Sequence, residues 1–93
     1  MMYTVKRTSQ FKKDYKAALR RNWDLQLLEN VIAMLANGHT LPLRHKDHPL
    51  KGNYKGYREC HVQPDWLLVY GLKKNTLVLV LAQTGKHNEL FEN

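Results

Sequence analysis

The chain is poor in cysteine, in acid and in long apolar runs, and each shortage excludes something. A single cysteine, Cys60, leaves no partner for an internal disulfide, which excludes a cross-linked secreted scaffold. No stretch approaches the ~20 consecutive apolar residues that span a bilayer. The opening Met-Met-Tyr-Thr-Val-Lys-Arg lacks the apolar segment of a signal peptide. The expectation is a cytoplasmic chain without a membrane association. Neither a low-complexity tract nor an internal repeat interrupts it.

Acid is scarce relative to base. Eight Asp and Glu face 15 Lys and Arg, for a formal charge of +7 and a pI near 9.7. An anionic partner follows: nucleic acid first, an acidic protein second, an anionic membrane third. The basic residues recur along the chain, at Lys12-Lys13, Arg20-Arg21, Lys51, Lys55, Arg58, Lys73-Lys74 and Lys86. That spread describes a basic face on a folded domain rather than a tail. With 43% hydrophobic and 25% charged residues in 93 positions, residues 1–93 are expected to fold as one ordinary globular domain.

Residues 3–7 alternate weakly as a short strand, and Thr8 or Ser9 is a natural helix cap. A basic amphipathic helix to about Arg21 carries Phe11, Tyr15, Ala18 and Leu19 on its apolar face. Asn22 can close it, and Asp24 can cap a second helix with the stripe Leu28, Val31, Ile32 and Leu35, ended by Gly38. Residues 39–56 read as a long loop, and loops of that length are often functional. Strands follow over 57–62, 66–72 and 76–83, the last so apolar that it belongs in the sheet interior or next to an edge. Gly85 should break the sheet before a helical turn at His87. The fold class is α+β: a two-helix hairpin on a small twisted antiparallel sheet, in the order β-α-α-β-β-β, with a short C-terminal helical turn.

Histidine is over-represented, at five copies. His48 lies in the long loop, His61 near a strand end and His87 just past Gly85, positions from which side chains converge readily. Cleaving RNA needs a base for the 2′-OH proton, an acid for the leaving 5′-oxygen and cations for the phosphate. Imidazole suits both proton roles near neutral pH. Asp65 follows His61 closely enough to share its pocket. Trp66 offers a face for base stacking, and Lys46, Lys51, Lys55 and Arg58 offer charge to phosphates. The plainer readings are that a lone loop histidine, such as His39 or His45, is an exposed polar residue, that Trp66 and Phe91 are core or lid residues, that Trp23 packs near the helical turn, and that Cys60 is a small core residue. A metal site is the other sharp reading, through His45, His48, His61 and His87, but neither cysteine pairs nor an H-E-x-x-H pattern supports it.

Four segments in order make the pattern specific: Lys46-Asp47-His48-Pro49-Leu50-Lys51-Gly52, Gly56-Tyr57-Arg58-Glu59-Cys60-His61-Val62, Pro64-Asp65-Trp66-Leu67-Leu68-Val69-Tyr70 and Thr84-Gly85-Lys86-His87-Asn88-Glu89-Leu90-Phe91. Over nearly its whole length the chain resembles the YafQ branch of the RelE toxin superfamily. The resemblance implies the toxin of a bacterial type II toxin–antitoxin pair, a ribosome-dependent endoribonuclease that cuts messenger RNA without a metal or other cofactor. It implies a monomeric toxin bound by a DinJ-like antitoxin. Carried over by position, the catalytic set is His48, His61, Asp65 and His87, with His87 as acid, Asp65 as base, and His48 and His61 holding the phosphate. Lys46, Lys51, Arg58, Trp66, Gln83, Lys86 and Phe91 fall in the substrate-binding set. The chain departs from the pattern at Gln83, where the family has an arginine, and so lacks a fixed charge beside the scissile phosphate. Such a loss typically costs on the order of 10²–10³ in rate. The alternative is a non-catalytic binder of the same fold, either an RNA-binding module or a ParE-like gyrase poison; the latter branch lacks these histidines.

Overall fold

The computed structural model describes residues 2–90. Strand β1 (Thr4–Arg7) leads at once into helix α1 (Ser9–Arg20). Thr8 starts that helix: its backbone is extended, and its hydroxyl accepts from the Phe11 amide at 3.0 Å, satisfying a donor of the open first turn. Asn22, at φ 59°, ends it in the left-handed conformation that asparagine tolerates. Asp24 caps α2 (Leu25–Ala36) through the Gln26 amide at 3.1 Å, and Gly38, at φ 77°, follows its end. The buried residues follow the expected spacing: Phe11 and Ala18 on α1, Leu28, Val31, Ile32 and Leu35 on α2. Leu19 departs from it, being exposed at the rim of α1.

Residues 39–56 are more ordered than a loop. Turns of 3-10 helix at Leu43–His45 and Gly52–Tyr54 flank a two-residue strand, β2 (His48–Pro49). Then come β3 (Arg58–Gln63), β4 (Trp66–Lys73), β5 (Val78–Gly85) and a helical turn, α3 (His87–Leu90). The last strand begins later than the apolar run suggests because Leu77 takes φ 54° and belongs to the preceding turn. It also continues through Gly85, which still pairs with Leu67 instead of breaking the sheet.

The sheet order is β1-β5-β4-β3-β2. Neighbours from β2 to β5 are antiparallel, whereas β1 joins β5 in parallel, with Thr4 opposite Val78 and Arg7 opposite Leu81. The sheet is therefore mixed. The meander alone would leave the outer amide ladder of apolar β5 open, and β1 completes it. Strand β5 thus neighbours an edge, as its composition suggests.

Alternation divides the sheet into two faces. Cys60, Leu68, Tyr70, Leu79 and Leu81 point into the main core beneath α1 and α2. Leu67 and Val69 are also fully buried but belong to the opposite face, outside that core. No described helix is long and apolar enough to cross a membrane.

Candidate active site

The face away from the helices collects the chemistry. Because Cys60 and Val62 point into the core, Glu59 and His61 must point the other way. Register then extends two rows across the sheet. One row runs His48, Glu59, Val69, Gln83; the next runs His61, Leu67, Gly85. The second row ends beside Lys86 and His87, two strand spacings or ~10 Å from His61.

Glu59 is the hub of the first row, and sequence reasoning missed it. Its side chain is 8% exposed, and its Oε1 lies 3.2 Å from Nε2 of His48 and 3.9 Å from Nε2 of His61. A buried carboxylate is costly unless paired, and these imidazoles are its partners. Each ring is also fixed at its other nitrogen: Nδ1 of His48 donates to the Pro49 carbonyl at 3.0 Å, and Nδ1 of His61 donates to the Pro64 carbonyl at 3.1 Å. A carbonyl only accepts, so both Nδ1 atoms carry hydrogen and both Nε2 atoms turn to the carboxylate. The available signal was the spacing Glu59-x-His61, which places both on one strand face.

Two residues brace this half from behind. His45, expected on the surface, is 5% exposed, and its Nδ1 donates to the carbonyl of His61 at 2.6 Å. It is buried because the 3-10 turn Leu43–His45 packs against β3, leaving Leu43 outside. Asp47 accepts from the Tyr70 hydroxyl at 2.6 Å and from Nε of Arg58 at 3.3 Å, which ties the His48 segment to β3 and β4. Burial and the bond to Asp47 hold the Tyr70 phenol well above its ordinary range. Burial pulls Arg58 down, but Asp47 and Tyr70 outweigh it and the guanidinium is raised. Burial pushes the Cys60 thiol up, in keeping with an inert core residue.

In the other half a bulge decides which side chains face out. Leu81 pairs with Tyr70 and Gln83 with Val69, so Ala82 is the extra residue on β5. Thr8 occupies the irregularity: its hydroxyl donates to the Ala82 carbonyl at 2.6 Å and its amide to the Leu81 carbonyl at 3.1 Å. Beyond the bulge Gln83 faces the histidine side and Thr84 faces the core. Thr84 is buried, accepts from Nε1 of Trp66 at 2.9 Å, donates to the Leu67 carbonyl at 2.6 Å, and gives its amide to Asp14 at 3.0 Å.

Of the residues expected in the site, His48, His61 and Gln83 share this face, and His87 opens α3 at its margin, exposed. Asp65 stands exposed in the turn after His61 and makes no hydrogen bond or ion pair among the described residues. Lys46, Lys51 and Lys86 are exposed. Two expectations are corrected. Trp66 is 3% exposed and packs on Trp23 with ring centroids 4.9 Å apart, so it is a core residue and offers no face to a base. Arg58 is paired with Asp47 on the helix side of β3, away from Glu59. Phe91 lies outside the described residues.

Residues 3–92 match the family model described as the bacterial toxin of type II toxin–antitoxin system, YafQ. The chain belongs to this family. It is 43% identical over 89 residues to the mRNA interferase toxin YafQ of Escherichia coli (strain K12), covering 94% of each chain. The structure of the E. coli DinJ–YafQ complex contains a chain 40% identical to this one, with a TM-score of 0.88, over 96% of this chain and 98% of that one. A metal-bound toxin from Helicobacter pylori is 46% identical, with a TM-score of 0.91, over 97% of this chain and 100% of that one. Here, among the described residues, no group of three or more His, Cys, Asp or Glu is placed to hold a metal ion. The donors in the site point at one another instead.

Proposed function

We propose that this chain is an mRNA interferase, the endoribonuclease toxin of a type II toxin–antitoxin pair. It acts in the cytoplasm on messenger RNA held by the ribosome, and a DinJ-like antitoxin restrains it. The observation that carries the reading is the convergence of His48 and His61 on the buried Glu59, in a row that ends at Gln83. A site of this kind serves acid–base cleavage. The 2′-oxygen loses its proton and attacks phosphorus; the P–O5′ bond breaks as the 5′-oxygen gains a proton, leaving a 2′,3′-cyclic phosphate and a 5′-hydroxyl.

Within that scheme His48 is suited to holding phosphate. Both its ring nitrogens face acceptor oxygens, the arrangement of a donor rather than of a proton acceptor. His61 takes the parallel role. Asp65, unpaired and beside His61, is the base, and His87 is the acid. Lys46, Lys51 and Lys86 supply mobile positive charge, while Gln83 supplies hydrogen bonding without it. We further propose that residues 1–93 act as one toxin domain.

The test is cleavage of messenger RNA on translating ribosomes by the chain itself, His87→Ala and Gln83→Arg. His87→Ala should lose on the order of 10²–10⁴ in rate, and Gln83→Arg should gain on the order of 10²–10³. A chelator should change neither. If none of the three cuts, the enzyme reading falls, and the non-catalytic basic binder takes its place.

A further inference from the structure

We propose that Arg21 and Glu89 form a positioning pair for His87, fastening the helical turn that carries it to the end of α1. The inference rests on the reading of His87 as the acid in cleavage. The described part of α3, His87–Leu90, is a single turn, which fixes many dihedrals for few hydrogen bonds. Contacts from outside hold it: the Tyr54 hydroxyl donates to the Leu90 carbonyl at 3.5 Å, and Glu89 makes the charged ones. Its Oε1 accepts from the Lys86 amide at 2.9 Å, half of a capping box. The same carboxylate takes both arms of Arg21, Nη1 to Oε1 at 3.0 Å and Nη2 to Oε2 at 2.6 Å.

The guanidinium is itself oriented. It lies 5.2 Å over the Trp23 ring, and Trp23 packs on buried Trp66. Gly85 completes the fit: a Cβ there would stand 3.1 Å from Oε1 of Glu89, at a φ of 155° that L side chains rarely adopt. The carboxylate therefore folds back over a residue that must be small.

Geometry connects this contact to His87. Two residues along a helix are rotated by ~200°, so fastening Glu89 toward α1 turns His87 away from α1. The side away from the helices is the face that carries His61 and Gln83. The pair is solvent-exposed, at 44% and 35% of side-chain surface, and exposed pairs add little to global stability. Its influence is local, on where one imidazole sits.

Single-turnover cleavage on ribosomes should be compared for the wild type, Arg21→Ala, Arg21→Lys, Glu89→Gln and Arg21→Ala/Glu89→Gln. Glu89→Gln keeps the capping acceptor and loses the charged fork. Each of Arg21→Ala and Glu89→Gln should lower kcat by about 10-fold to 10²-fold, the cost of a misplaced catalytic group, with KM within about twofold. Arg21→Lys should recover part of the loss, and the double variant should be no slower than the slower single one. The His87 ring resonances give a readout independent of cleavage: they should move toward those of an unstructured histidine in both single variants. Unchanged kcat and unchanged His87 resonances, with His87→Ala inactive, overturn the pairing and leave the catalytic reading intact. Cleavage by His87→Ala at the wild-type rate overturns the catalytic reading instead, whatever the resonances do.

Discussion

The two halves of the candidate site are held in different ways. His48, Glu59 and His61 are fixed from inside: a buried carboxylate joins the rings, buried His45 holds the backbone of His61, and Asp47 and Tyr70 anchor the segment that delivers His48. The β5–α3 half has an inner anchor in Thr84, but its last turn, with His87, is held by contacts nearer the surface, the exposed Arg21–Glu89 pair and the Tyr54 hydroxyl on the Leu90 carbonyl among them. A site can thus combine a preformed half, set by the same interactions that stabilise the fold, with an adjustable half set by contacts worth little to the fold. Substitutions in the first half should cost stability and activity together; those at the outer turn should cost activity alone.

Thr84 gives the sharpest way to break that contrast, because it belongs to the second half and is anchored like the first. Thr84→Val keeps the shape but leaves Nε1 of Trp66 buried without its partner and takes the hydroxyl donor from the Leu67 carbonyl, a loss dominated by the unpaired indole at ~1–3 kcal/mol. Thermal or denaturant unfolding should register a loss of ~1–3 kcal/mol, and a change below about 0.5 kcal/mol would show that this anchor does not bear on stability.

Glu59→Gln tests whether the preformed half is held by charge. The amide fits the space and can keep an acceptor oxygen at the Oε1 position that both imidazoles face, but it removes the negative charge, and a weakened orienting partner commonly costs 10-fold to 10²-fold in activity. Cleavage rates should fall within that range; an unchanged rate would mean that the charge of Glu59 does not position the histidines.

Tyr70→Phe is the mildest probe. It removes one hydrogen bond from Asp47 but leaves Arg58 in place, so a loss of ~1 kcal/mol is expected by denaturant unfolding. Activity should decline only as far as His48 shifts, by a factor of a few.

Much of the framework was legible from local signals. Thr8, Asn22, Asp24 and Gly38 punctuate the helices because caps and left-handed turns depend on the chemistry of a few adjacent atoms. The motifs around His48, His61 and His87 identified the family through residue order alone. Glu59 was not singled out, although its spacing from His61 was available, because a carboxylate on a strand reads as surface until a neighbouring strand covers it. His45 reversed its expected setting, and Trp66 took its plainer core setting rather than the substrate-facing one, for the same reason: burial depends on what packs across from a residue.

The sequence by itself determined the order of the main helices and strands, apart from the short β2, and the helix boundaries, since each follows from residue type and near-neighbour geometry. Tertiary structure decided the rest. The parallel placement of β1 depends on an open ladder 74 residues away along the chain. The bulge at Ala82, closed by Thr8, turns Gln83 toward the histidines and Thr84 into the core. Strict alternation would have exchanged those two, because a one-residue slip moves every following side chain to the opposite face.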